Sequence, residues 1–160
     1  SVTVLPSGLQ STIKAIEIGG KEIDEAFAPQ SIVLHLEDDI DVSRGDVIVP
    51  SGSLPKVAQE LDILLCWMGN KPLTEGSRYL LQINSRLVKT IVKEIQYKLD
   101  VNSLEKELSP ESVSLNDIVR VKIKTASPIP YDTYSELRAN GGAILIDETS
   151  NVTVGACMIQ

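Results

Sequence analysis

The stretch LVKTIVKEIQYKL, residues 87–99, decides the fold. Leu87, Val88, Ile91, Val92, Ile95 and Leu99 fall at the three- and four-residue intervals of an amphipathic helix. The β-branched content of the same stretch, Val88, Thr90, Ile91, Val92 and Ile95, favours an extended strand. On these residues alone helix and strand are evenly matched, so the surrounding chain has to weigh in.

The surroundings are short apolar runs separated by turn residues. Val2 and Val4 lead into the turn Leu5-Pro6-Ser7-Gly8, Thr12–Ile18 ends at Gly19-Gly20, and Ile32, Leu34 and Leu36 alternate with Val33 and His35 as in a half-buried strand. Ser43-Arg44-Gly45-Asp46 precedes Val47-Ile48-Val49; it contains an adhesion-type tripeptide, but glycine before a β-branched run reads first as the turn into a strand. Further on, Leu61–Met68 is an apolar run broken only by Asp62, Tyr79–Ile83 is another run, Ile118–Lys124 alternates apolar and basic residues, and Ile144–Ile146 and Val152–Ile159 complete the set. Such spacing predicts an all-β sandwich or barrel. Two short stretches read as helical, Ser103–Leu108 and Tyr131–Leu137, the second following Pro128-Ile129-Pro130. Pro50-Ser51-Gly52-Ser53-Leu54-Pro55 has linker composition, which predicts domains at 1–52 and 53–160.

Charge changes at the same place. The net charge is −7 over 160 residues, of which residues 1–52 carry −6 and the rest −1. An acidic first third repels phosphate backbones, and six aromatic side chains are too few for a stacking platform, so no nucleic-acid partner is expected. No apolar run approaches the ~20 residues that cross a bilayer, and the N-terminus lacks a signal peptide's regions; no membrane contact and a cytoplasmic location are expected. Cys66 and Cys157 each stand alone in apolar surroundings and read as buried, reduced thiols.

Residues able to do chemistry are scarce. There is no phosphate loop, dinucleotide fingerprint or metal-ligand cluster, and the acidic run Glu37, Asp38, Asp39, Asp41 lacks the alternation and mid-loop glycine of a calcium loop. The single histidine, His35, reads as an outward strand residue, and without a second histidine or a nucleophile elbow a hydrolase has little to work with. No catalytic, cofactor-binding or metal residue is therefore expected in this chain.

Several stretches together resemble one family. Residues 4–8 (VLPSG), 13–20 (IKAIEIGG) and 22–49, the last ending in SRGDVIV, resemble the second domain of translation-factor-type GTPases, in particular the large GTPase subunit of bacterial sulfate adenylyltransferase. Residues 64–105 and 114–159 resemble that subunit's third domain. Thr153-Val154-Gly155-Ala156 is shared with elongation factor Tu, whereas Cys66-Trp67-Met68, Lys93–Asp100 and Asn116-Asp117-Ile118 look particular to the sulfate-activating branch.

The resemblance implies two small β-barrels, elongation factor Tu domain 2-like and domain 3-like, with residues 87–99 a long strand and Arg44-Gly45-Asp46 the turn into the last strand of the first barrel. It also implies a C-terminal fragment that begins inside that first barrel, without the preceding GTPase domain. GTP and magnesium would belong to that missing domain and ATP to a small partner subunit that makes adenosine 5′-phosphosulfate, while this chain alone would be inactive. Expected partners are the small subunit, the GTPase domain and, through an open strand edge, a second copy. Trp67, Tyr131 and Tyr134 are the candidate interface anchors, since aromatics dominate such contacts; for Trp67, a place in the core is an equal alternative. The alternative is a barrel module of another translation-type GTPase that binds tRNA or the ribosome; a further alternative is a binding domain with no GTPase parent.

Overall fold

The chain divides after Leu54 into two units, Ser1–Leu54 and Pro55–Gln160, and the computed structural model describes all residues 1–160. No helix is long and apolar enough to cross a membrane.

The first unit contains β1 (Val2–Leu5), β2 (Leu9–Ser11), β3 (Ile13–Ile18), β4 (Lys21–Ile23), β5 (Val33–Leu36) and β6 (Val47–Pro50). They form two three-stranded antiparallel sheets, ordered β2-β1-β6 and β4-β3-β5. All four residues of the central strand β1 are buried, whereas no residue of β3, β4 or β5 is. The Arg-Gly-Asp tripeptide is a strand-entry turn. The Ser43 N–H donates to Asp46 Oδ2 (2.9 Å), the Asp46 N–H donates to the Ser43 carbonyl (3.0 Å), and Gly45 takes φ +98°, a conformation that glycine adopts without a Cβ penalty. Ser114–Asp117 builds the same turn in the second unit, with Ser114 N–H to Asp117 Oδ2 (2.8 Å), Asp117 N–H to the Ser114 carbonyl (3.0 Å) and Asn116 at φ +70°.

The second unit contains β7 (Lys56–Trp67), β8 (Arg78–Ile83), β9 (Arg86–Leu99), β10 (Lys106–Leu108), β11 (Ile118–Tyr131), β12 (Gly142–Ile146) and β13 (Thr153–Ile159). The sheet order is β10-β9-β11-β7-β13-β12-β8, and β8 also pairs with β9. That last pairing closes β9, β11, β7, β13, β12 and β8 into a six-stranded antiparallel barrel, with β10 appended to β9. Inward residues such as Ile63, Leu65, Leu81, Val121, Ile123 and Leu145 are fully buried and fill its interior.

Residues 87–99 are extended, and the structure explains why they look helical. Along β9 the inward positions begin at Val88, Thr90 and Val92, a clean period of two. Pairing with β11 then slips twice, between Val92 and Glu94 and again between Ile95 and Tyr97. Each slip inserts one residue as a β-bulge, so inward positions advance by three instead of two. The first bulge brings Ile95 inward three residues after Val92, and with Leu87 and Ile91 apolar on the outward face the combined pattern imitates a helix.

Neither predicted helix forms where it was expected. In Ser103–Leu108 the Asp100 carboxylate accepts the N–H groups of Asn102 (2.7 Å) and Ser103 (3.0 Å), Leu104 is left-handed at φ +60°, and the chain turns back to pair as β10. In Tyr131–Leu137 the Tyr134 N–H is committed to the Ile159 carbonyl (2.7 Å), which prevents a helical ladder; only α1 (Arg138–Gly141) forms, one turn later.

Candidate functional site

The apolar run Leu61–Met68, interrupted only at Asp62, cannot be explained by the barrel interior alone. On β7 the side chains of Leu61, Ile63, Leu65 and Trp67 point inward and are buried, so Leu64 and Cys66, equally apolar, point outward and are half-buried. In register beside Cys66 stand Ile118 on β11, Ala156 on β13 and Ile144 on β12, an apolar row across four strands. The next row adds Leu64 opposite Met158, which is opposite Gly142. At ~4.8 Å between strands this outer face is about 14 Å wide. It forms an open groove of about 520 Å³ whose walls include Cys66, Ile144, Ala156 and Met158, with Asn84 and Tyr134 at its margin.

The margin is rigidly built. Asn84 Nδ2 donates to Oδ1 of the buried Asn140 (2.8 Å), and Asn140 Nδ2 donates to Asp132 Oδ2 (2.8 Å), which ties the β8–β9 turn to the loop before α1. Gly141 lies so close to that loop that an added Cβ would meet the Tyr134 backbone at 2.5 Å. The Thr133 hydroxyl donates to Glu136 Oε2 (2.7 Å) and, with the Thr133 N–H, holds the Glu136 carboxyl below the usual carboxylate range. The Arg138 guanidinium sits 5.6 Å from the centre of the Tyr134 ring. A Tyr–Arg pair held at the rim of an apolar groove is the composition expected of an interface anchor.

Of the three candidate anchors, Tyr134 alone lies at this groove. Trp67 is 2% exposed, donates Nε1–H to the Lys71 carbonyl (2.9 Å) and meets the edge of Tyr79 at 5.6 Å between ring centres; it is core, and its burial removes it as a surface anchor. Tyr131 is half-buried against the interior, in register with Lys56. The thiols also differ from expectation. Cys157 is buried, and desolvation pushes its thiol up to about 12, whereas Cys66 faces outward and is half-exposed; alternation on adjacent strands puts them on opposite faces. Leu64, Ile144 and Met158 were missed as site residues, although an apolar run spanning both strand parities was the signal for them.

The remaining chemistry-bearing residues are spent locally. His35 Nε2 lies 3.2 Å from Glu17 Oε2 on the exposed face of β5 and β3, and Asp38 Oδ2 accepts the Ser11 hydroxyl (2.8 Å). No group of three or more His, Cys, Asp or Glu side chains is placed to hold a metal.

The second unit is thus a closed six-stranded antiparallel barrel with an apolar outer face, the architecture of a small all-β packing domain. The chain belongs to the GTP-eEF1A C-terminal domain-like family, which matches residues 60–160. Among curated proteins it is 40% identical to a bifunctional enzyme CysN/CysC of Rhodopirellula baltica, over 99% of this chain and 24% of that protein. It is 41% identical to sulfate adenylyltransferase subunit 1 of Laribacter hongkongensis, over 99% of this chain and 33% of that protein. The chain spans about a quarter to a third of the length of these relatives. A crystal structure of Sup35 complexed with GDP shares the fold, with a TM-score of 0.87 at 17% identity, over 99% of this chain and 39% of that one.

Proposed function

We propose that residues 1–160 are the barrel portion of a sulfate adenylyltransferase large subunit and serve as a docking scaffold. The parent protein couples GTP hydrolysis to the formation of adenosine 5′-phosphosulfate from ATP and sulfate in the cytoplasm. GTP and magnesium belong to the parent's nucleotide-binding portion and ATP to the small subunit; this chain contributes packing surfaces and no reacting group. The apolar outer face of β7, β13 and β12 carries this reading, because an uncovered sheet face with a fixed Tyr–Arg rim is built to be covered. The identity of about 40% to sulfate adenylyltransferase subunit 1 over nearly the whole chain favours this branch over a tRNA- or ribosome-binding module. The open edges of the first unit's two sheets are further places for pairing with the rest of the parent or with a second copy.

The test is titration of this chain with the small sulfate adenylyltransferase subunit, read by the reactivity of Cys66 toward a maleimide. Docking on the groove protects Cys66 and is weakened at least tenfold by Tyr134→Ala, the range of a moderate hot spot. Saturable binding with Cys66 still fully reactive would move the contact off this face, and no binding by the intact large subunit either would remove the assignment.

A further inference from the structure

On the opposite flank of the barrel the geometry points to a second surface, beyond the docking face above: a groove for an acidic polypeptide segment on β8, β9 and β11. Arg78, Ile91 and Lys124 stand in one row across these three strands, and Lys89 lies one outward position along β9 from Ile91. Together with Ala126 and Glu148 they line a groove of about 410 Å³. Three cations therefore surround one apolar side chain, with Glu148 in the groove and Glu60 in register beside Lys124 as the nearby carboxylates.

None of the three is ion-paired. They take no part in the pairs of His35 with Glu17 or of Lys98 with Glu107 and Asp117, and Lys124 does not reach Glu60 although the two are in register. The neighbouring Lys122 is different, since it stands between Asp62 and Glu94 on the flanking strands. Unpaired cations gathered on a chain of net charge −7 mark a local positive potential that an anion would complement.

The lining decides which anion. A built phosphate site adds convergent backbone N–H or hydroxyl donors to its cations. Here the Thr125 hydroxyl is spent on the carbonyls of Gln59 (3.1 Å) and Ser127 (2.9 Å), the Thr90 hydroxyl faces the Val88 carbonyl (3.4 Å), and the strands' amides are engaged in the ladders. What remains is an apolar floor of Ile91, Ala126 and lysine stems under three charges. That suits a peptide placing an apolar side chain on Ile91 and carboxylates toward Arg78, Lys89 and Lys124. No aromatic side chain lines the groove to stack a base, which disfavours nucleic acid.

The probe is a Glu-Glu-Leu-Glu-Glu peptide titrated into the 160-residue chain and followed by two-dimensional amide NMR. Saturable shifts are expected to cluster at Arg78, Thr90, Ile91, Lys124 and Thr125, and to weaken about fivefold between roughly 50 and 300 mM salt as the charges are screened. Lys89→Glu with Lys124→Glu should weaken binding at least about tenfold with the spectrum's dispersion intact, whereas Lys→Arg at both positions should retain it. Absent or scattered shifts, or an equal response to Gln-Gln-Leu-Gln-Gln, would overturn the proposal. So would tripolyphosphate or an oligothymidylate moving the same amides at lower concentration than the peptide. The docking role of the Tyr134 face is untouched by any of these outcomes.

Discussion

Gly141→Ala should break the loop that carries Tyr134, while the same change one residue later should not. At Gly141 the new Cβ would lie 2.5 Å from both N and Cα of Tyr134 and 2.7 Å from the Thr133 carbonyl carbon. Carbon atoms sit comfortably at about 3.5–4.0 Å, so the 133–134 backbone must retreat by about 1 Å. That backbone is anchored by the 2.7 Å bond from the Tyr134 N–H to the Ile159 carbonyl, which the retreat would stretch beyond bonding length. Overpacking at about 1–3 kcal/mol and a lost hydrogen bond at about 1 kcal/mol give a cost of about 2–4 kcal/mol. With a urea slope of about 1.5 kcal/mol per molar, the unfolding midpoint falls by roughly 1.3–2.7 M. Emission of Trp67 is the readout, because it is the chain's single tryptophan and sits in the interior of the affected barrel. At Gly142 the nearest atoms to an added Cβ are the Arg138 carbonyl at 3.2 Å and the Tyr134 ring at 3.5 Å, so Gly142→Ala should cost less than about 1 kcal/mol. Equal midpoints for the two variants would refute the reasoning.

Trp67→Phe should destabilise the barrel by about 1–2 kcal/mol through loss of the bond to the Lys71 carbonyl and part of the edge contact with Tyr79, and Trp67→Ala by about 3–5 kcal/mol, measured by circular dichroism in urea. In the native protein at pH 8, Ellman's reagent should titrate Cys66 alone, with Cys157 reacting only in denaturant; two fast thiols would contradict the burial of Cys157. The Cys157 thiol ionises near 9 when exposed and at about 12 when folded, so the unfolded chain loses its proton first as pH rises. This contribution to stability is therefore intact below pH 9 and is lost progressively toward pH 12, at up to about 1.4 kcal/mol per pH unit. Cys157→Ala should flatten that decline, and an unchanged slope would show that another group causes it.

The all-β class was legible because most strands announce themselves by period-two patterning and turn residues, as Ile118–Lys124 and Ser43–Val49 do. Residues 87–99 were not legible from periodicity, since Leu87 and Ile91 are apolar on the outward face and bulges, being pairing events between strands, leave no local mark. The two misplaced helices have a similar origin: Ser103–Leu108 and Tyr131–Leu137 are shaped by contacts to Asp100 and Ile159, the second of them distant in sequence. At the site, Tyr134 was within reach of composition arguments, but the groove itself depends on register, which places Cys66, Ala156 and Ile144 side by side. Trp67 shows the limit of reading aromatics from sequence, because inward and outward differ by one residue.

The neighbours of β7 also bear on how this barrel is made in the cell. β7 is the first strand of its ring to leave the ribosome, yet one of its two partners is β13, with Ile63 opposite Ile159. At a synthesis rate of about 5–20 residues per second, this strand waits some 5–20 s for the segment that covers its second edge. During that interval a nascent chain presents a long, sticky ribbon with no way to close. Holdase chaperones engaging the ribbon, or synonymous codons that speed translation of residues 68–159, would be expected to set the yield of soluble protein more strongly than the final stability does.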